Sequence, residues 1–392
     1  KKKKTLKKKN KICISNGGYN FKRIIHYFKK KNFEIFLPIF SKLPLLENIM
    51  YFFRGVKVIK FCKEKSPEIK KKNFVDKINF TYKNEYDVSP LMNNFNDKLN
   101  YYFNDLNQKI IAIKSFVNDN SFKLSISNVA RGLDGSILDS DIKNPTLCIP
   151  HGVISEAFSK NDIIYKKIIA EAVFNGESKY FAIQSKIMNK SLNTHSLMGK
   201  PLQTGNLIFS QRKNNFINKR KYILFATTLK GFSNLQFLGV DMFYEFWEIL
   251  IELEDLSKNI NEKIVIKLHP QFEHCYKYFK KHFKHIIFSK KKIEDLLKNA
   301  LTLITLSSGT IEDALNSKVP VILYDFKKRY KQMDSSDIVE INKAVLYINE
   351  KNKFEYAIRK IRNSKKLDFS NYVYEKKFDE TLNEKILPLI ID

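Results

Sequence analysis

Glycine and proline are scarce in this chain, 12 and 10 among 392 residues, and neither is clustered. That excludes collagen-like and Gly/Pro-rich low-complexity architectures, which need far more of both. Cysteine is scarcer still. Cys13, Cys62, Cys148 and Cys275 stand far apart, in no Cys-x-x-Cys spacing, three of them in or beside apolar runs. Such spacing offers neither a disulfide framework nor a structural zinc site, and reads as reduced, buried thiols of a cytosolic compartment. No metal site is expected elsewhere, because His274, His282 and His285 lie in basic surroundings without acidic companions. Long hydrophobic runs are lacking too: "NFEIFLPIF" at 32–40 is strand-sized and runs into Ser41 and Lys42. The opening "KKKKTLKKKNK" has no apolar region behind its lysines and is no signal peptide. It begins with Lys rather than Met, as a processed or excised piece would.

Negative charge is the remaining shortage. Asp and Glu total 41 against 70 Lys and Arg, a formal charge of +29. A field of that sign attracts nucleotides, phosphates, nucleic acids and anionic lipid surfaces alike. The excess is mostly Lys in company with Asn, Ile, Phe and Tyr, the bias that AT-rich coding produces. No zinc finger, RNA-recognition signature or recognition helix accompanies it, so no specific nucleic acid partner is expected. What is present is 43% hydrophobic and 13% aromatic, a globular composition in a chain long enough for two cores.

Strand and helix patterns alternate along the chain. "KICISNGG" at 11–18 reads as a strand entering a glycine turn, followed by the amphipathic "FKRIIHYFKKKN" and the strand "FEIFLPI". Gly17 and Gly18 do not have dinucleotide-fingerprint spacing. Residues 43–95 are mixed, with the short strand "VKVIKFC"; a long helix follows over 96–117, then strands at 122–128 and 145–152. A helix "DIIYKKIIAEAVF", a strand "SKYFAIQS" and a helix from 186 complete a first domain. The segment 200–220, broken by Pro, Gly, Asn and basic residues, is the expected linker. Strands "KYILFA", "EKIVIKLHP", "HIIFS", "LTLIT" and "VPVILYD" then alternate with helices. The pattern predicts an α/β protein with parallel sheets covered on both faces. Its domains are 1–215, 216–365 and a C-terminal helical segment, 366–392, packing back toward the first.

Ligands of open parallel sheets bind at the carboxyl ends of the strands. "ITLSS" delivers Ser307 and Ser308 to such an end, and Gly309-Thr310 opens the next helix, where free N–H groups and hydroxyls seat phosphate. Ser308 or Thr310 as a plain N-cap, with Glu312 closing the helix start, is the alternative. Glu312 could instead accept hydrogen bonds from ribose. "IVIKLHPQ" puts His269 at another strand end, with Pro270 stopping the ladder; a His there donates to phosphate oxygens. Thr227 follows the strand "YILFA", and His151 follows "LCIP" in the first domain. A transferase needs a base near its acceptor. Asp134, between Gly132 and Gly135, is the first carboxylate choice, with Asp139 and His151 as alternatives.

Together "PHG" at 150–152, "FATTLKG" at 225–231, "KLHP" at 267–270 and "SSGTIEDALNSKVPVILYD" at 307–325 resemble bacterial surface-glycan transferases of the GT-B fold. That group includes CDP-glycerol glycerophosphotransferases, capsule polysialyltransferases and capsule Kdo transferases, whose CMP- or CDP-dependent members carry the HP and SS motifs. The resemblance implies two Rossmann-like domains facing across a nucleotide-binding cleft. It implies that His269, Pro270, Ser307, Ser308 and Gly309 bind the donor's nucleotide and phosphate, that Thr310, Glu312 and Thr227 complete the pocket, and that His151 serves phosphate binding or catalysis. Thr227 stands where many glycerophosphate members have proline, and "VISE" follows "HG" where they read differently. Both departures favour a CMP-activated acidic sugar, such as sialic acid, a related nonulosonic acid or Kdo. No cofactor is then required beyond the CMP-sugar donor, and an inverting, metal-independent transfer is expected. The acceptor would be an anionic glycan or glycolipid, met from the bacterial cytoplasm by a protein held peripherally on the anionic membrane face. A CDP-glycerol transferase, a UDP-sugar transferase and a GT-B epimerase keep the fold and change the donor.

Overall fold

Every residue of Ala300–Thr305 is buried, which a strand achieves only with both faces covered. In the computed structural model, alternation shares out that burial. Ile304 joins Ile223, Phe225, Ile264, Ile266 and Ile322 on one face of a sheet, while Leu303 joins Leu224, Ala226, Val265, Val321 and Leu323 on the other. The structure describes residues 10–15, 21–40, 45–61, 89–128, 143–152, 155–158, 160, 163–164, 166–168, 170, 176–194, 198–210, 221–226, 242–306, 308–326, 328, 331–336, 343–364 and 367–391. The chain divides into two compact units, Lys1–Leu147 and Cys148–Asp392.

The strands are β1 (Lys11–Ile14), β2 (Glu34–Ile39), β3 (Val56–Lys60), β4 (Phe122–Ser127), β5 (Thr146–Cys148), β6 (Tyr180–Ile183) and β7 (Lys200–Gln203), followed by β8 (Tyr222–Ala226), β9 (Lys263–Lys267), β10 (Ile287–Ser289), β11 (Ala300–Thr305), β12 (Val321–Tyr324) and β13 (Val345–Ile348). A seven-stranded sheet has the order β3-β2-β1-β4-β5-β6-β7, and a six-stranded sheet the order β10-β9-β8-β11-β12-β13. In the first unit, β1 pairs in parallel with β2 and β4, and β2 with β3. Helix α1 (Lys22–Lys30) buries Ile24, Ile25, Tyr27 and Phe28. It ends on Asn32 at φ 66, a left-handed position that Asn tolerates. Helices α2 (Leu45–Phe53) and α3 (Ser89–Asp119) complete the unit's described helices, α3 supplying Ile113 and Phe116 against Cys13, Phe36 and Phe122.

In the second unit the described helices are α4 (Lys186–Ser191), α5 (Met242–Asn259), α6 (Tyr276–His282), α7 (Ile293–Leu297), α8 (Thr310–Asn316), α9 (Lys353–Asn363) and a C-terminal run of short helical pieces, Phe378–Thr381, Leu382–Ile386 and Pro388–Ile391. Phe354, Ala357, Ile358 and Ile361 of α9 recur at helical spacing, so one stripe meets the sheet beside Leu250 and Leu253 of α5. On the opposite face lie Leu296 and Leu297 of α7 and Ile311, Ala314 and Leu315 of α8. This is a doubly wound layer arrangement, as the alternation of strands and helices predicts.

Three elements differ from the sequence expectation. The expected linker begins with a strand: β7 pairs in parallel with β6 although it contains Pro201, which a sheet-edge position tolerates. The helix that the alternation places between "EKIVIKLHP" and "HIIFS" opens as a 3-10 turn over Pro270–Cys275. β13 and α9, hidden in Asn- and Lys-rich sequence, extend the second sheet beyond Asp325. Ile304 is fully buried on the face of the sheet that α5 and α9 cover. Ile304→Ala is therefore expected to cost about 2–5 kcal/mol, read as a lower urea midpoint with an unchanged slope.

Candidate functional site

The winding of the six-stranded sheet reverses at one place. From β8 the chain moves outward to β9 and β10, then returns to the other edge of β8 as β11 and moves outward again through β12 and β13. A reversal of this kind leaves a crevice at the carboxyl ends of the two central strands, because the connections leave in opposite directions. Ile304 pairs with Phe225, and Phe225 with Ile266, so the chain leaves β11, β8 and β9 at one level.

After β9 the chain presents His269, which is half-buried. Its carbonyl accepts from the Phe272 N–H at 2.8 Å, bending the chain into the 3-10 turn. Pro270, lacking an N–H, cannot continue the ladder. Lys267 Nζ bonds Glu273 Oε1 at 2.5 Å and ties that turn to the strand end. After β11 the Ser308 Oγ accepts from the Thr310 N–H at 3.3 Å, while Gly309 holds the cap position of α8. The Thr310 hydroxyl oxygen is buried without a partner, as is the hydroxyl of Thr305 at the end of β11.

Gly309 brings the two halves of the sequence pattern together. A Cβ there would lie 3.0 Å from the His151 carbonyl oxygen, so the Pro150–Gly152 segment runs against the first turn of α8. The His151 side chain is exposed. Its segment is fastened by Gln184, buried just beyond β6. Gln184 donates to the Pro150 carbonyl at 2.6 Å and accepts from the N–H groups of Leu207 and Ile208 at 3.1 and 3.3 Å. Farther on, buried Lys166 donates to the Ser155 hydroxyl and, at 2.6 Å, to the Gln332 carbonyl; Ser155 also bonds that carbonyl. The same stretch thus binds to the chain following β12.

Two acids occupy the first turn of α8. Glu312 is 0% exposed, and neither carboxyl oxygen meets hydrogen-bond geometry with any group. Burial pushes it up to about 7; the nearby Ser185 hydroxyl opposes the shift and Asp313 adds to it. Asp313 is partly exposed and accepts from both the N–H and the hydroxyl of Ser210 at 2.6 Å. Burial pushes it to about 6 despite those bonds. Asp313, Gln184, Ser185, Ser210 and Lys166 had no signal in the sequence: each is a common polar residue whose partner lies far away along the chain. Thr227, Ser307 and Asp134 lie outside the described residues, as do Thr228, His195, Asp139 and the Gly17-Gly18 turn. Among the described residues no group of three or more His, Cys, Asp and Glu side chains could hold a metal ion.

No family model matches the sequence, and no curated protein matches it. By fold the chain is similar to the UDP-GlcNAc 2-epimerase of Methanocaldococcus jannaschii, with a TM-score of 0.55 at 14% identity over 96% of this chain and 99% of that one. It is similar to TarM, at 0.51 and 14% identity over 98% of this chain and 99% of the other. The Neisseria meningitidis UDP-GlcNAc 2-epimerase, solved with UDP-GlcNAc bound, gives 0.51 at 10% identity over 97% and 100%. These likenesses define the fold as GT-B, two Rossmann-like α/β domains, as the sequence motifs imply.

The buried Glu312 sets a pH dependence. Between the ordinary Glu value of 4.5 and about 7, the unfolded chain releases a proton that folded Glu312 retains, so stability falls as pH rises through that window and levels off above it. Glu312→Gln is expected to flatten this slope. Its melting temperature should lie near that of the wild type at about pH 4.5 and exceed it by a few degrees at about pH 8. Parallel curves would place the carboxyl in water.

Proposed function

We propose that this protein is a GT-B glycosyltransferase that moves an acidic sugar from a CMP-activated donor to a hydroxyl of a bacterial surface glycan or glycolipid. The approach of the His151 main chain to Gly309 carries the reading, because it sets the first-half histidine motif beside the start of α8. In this reading residues 216–365 hold the donor and 1–215 serve the acceptor. His269 and Pro270 border the phosphate seat, with Ser307, Ser308, Gly309 and Thr227 lining it. Thr310 and Glu312 hold buried oxygens that meet no hydrogen-bond geometry with the chain, the Ser185 hydroxyl lying near Glu312. Leaving such groups unsatisfied costs about 1–3 kcal/mol each, and ribose hydroxyls would supply the missing bonds.

The acceptor oxygen attacks the anomeric carbon while the bond to CMP breaks, its electron pair leaving on the phosphate. Attack from the opposite face inverts the configuration. His151 or Asp134 takes the acceptor proton, and His269 with main-chain N–H groups meets the charge growing on the departing phosphate. Cationic and N–H groups are sufficient for this, so the reading calls for no metal.

A UDP-linked donor is the second reading, with transfer or epimerisation as the reaction. The fold likeness to an epimerase holding UDP-GlcNAc favours it. Calorimetric titration with CMP, CDP, UDP and GDP at fixed moderate salt separates the two. Cytidine-selective binding, weakened about tenfold or more in both His269→Ala and Ser308→Ala, is the expected result. Uridine selectivity lost in the same variants selects the second reading. Equal weak binding of all four, indifferent to either substitution and abolished by salt, overturns both. His151→Ala is expected to keep nucleotide affinity and lose turnover by roughly 10²–10⁴-fold, measured with the donor that calorimetry selects.

A further inference from the structure

Surface helices ordinarily turn their apolar side inward. Helix α2 does the reverse. Leu45 is 73% exposed, Ile49 42%, Phe52 77% and Phe53 81%, whereas Tyr51 is 2% exposed. At about 100° per residue the four exposed residues share one arc of the helix, and Tyr51 lies well away from it. The helix packs through Tyr51 and presents a continuous apolar face to the outside.

Cations rim the end of that face. A Cβ on Gly55 would lie 2.8 Å from Lys29 Nζ, so the Lys29 ammonium sits at the turn that closes α2. Lys30 and Lys31 are exposed at the end of α1, whereas Arg54, directly after Phe53, has its Nη1 buried. Lys57, next on β3, pairs with Glu34 at 3.0 Å. Glu47 is the acid on α2 itself. Exposed rings and branched chains beside ammonium groups suit the boundary between acyl chains and anionic headgroups. A second copy of this chain suits it less, because two such rims, on molecules of charge +29, would repel. No described helix is long and apolar enough to cross a membrane, so attachment through α2 is superficial.

We propose that α2 docks this protein on an anionic lipid leaflet, with Leu45, Ile49, Phe52 and Phe53 among the acyl chains and Lys29 and its neighbours on the phosphate headgroups. The inference is independent of which nucleotide the second unit binds. It would place the first unit beside a lipid-linked acceptor.

Flotation with phosphatidylcholine vesicles, with and without about 30% phosphatidylglycerol, tests it on the full chain. Binding is expected only with the anionic lipid. The double variant Phe52→Ser, Phe53→Ser keeps every charge, and its affinity should drop about tenfold or more. Phe53→Trp, read against the wild type with its one native Trp247, should shift its emission to the blue when anionic vesicles are added. Undiminished binding of the serine variant with no blue shift overturns the proposal, leaving net charge as the sole attraction. So does a lipid-free dimer in sedimentation velocity that the serine variant dissolves, which would make α2 a contact between copies. Circular dichroism shows whether the variants fold. Nucleotide calorimetry on the serine variant separates failure here from failure of the donor reading.

Discussion

The pairing of β8 on both of its edges is the constraint on which the second unit depends. The chain leaves β8 toward one edge of the sheet and later returns to pair with its other edge. The chain winds away through β9 and β10 and comes back through β11, β12 and β13. Two loops therefore leave the carboxyl ends of neighbouring strands in opposite senses, and the space between them cannot be filled by either. His269 stands on one loop and Ser308 to Thr310 on another because the register sets those strand ends level. The apolar layers on both faces keep that level rigid, since neither face can slip without exposing its side chains.

Buried polar contacts do the rest. Gln184 and Ser185 follow strand β6. The first clips the Pro150 carbonyl, and the second caps α4 by accepting from the Met188 N–H at 3.3 Å. Asp313 accepts from Ser210, so the start of α8 is fastened to the chain beyond β7, and Glu312 lies near Ser185, which precedes α4. The C-terminal stretch comes to the same place: Lys186 N–H donates to the Tyr372 carbonyl at 3.0 Å, and Ser185 bridges Val373. A carboxyl buried without a cation, as Glu312 is, destabilises the fold at neutral pH.

Much of the architecture was legible because it rests on local patterns. The runs "YILFA", "IVIK" and "LTLIT" are short, apolar and bounded by breakers, which defines buried parallel strands, and the helices between them keep their spacing. Elements without that signal were not legible. β7 is an exposed edge strand containing proline, and β13 is brief and set in polar sequence. α2 packs with its apolar face outward, so its composition says little about where it lies.

The sequence by itself determined the alternation of strand and helix, and with it two parallel sheets covered on both faces, because burial of an apolar strand is a property of its own side chains. It also determined that His269 and the Ser308–Glu312 stretch stand at strand ends. Only the tertiary structure decided that the His151 main chain meets Gly309, that Glu312 is sealed against Ser185, and that the phenylalanines of α2 look outward. Those depend on strand order and on which face an element turns to its neighbours, and contacts between distant segments leave no periodic trace in either one.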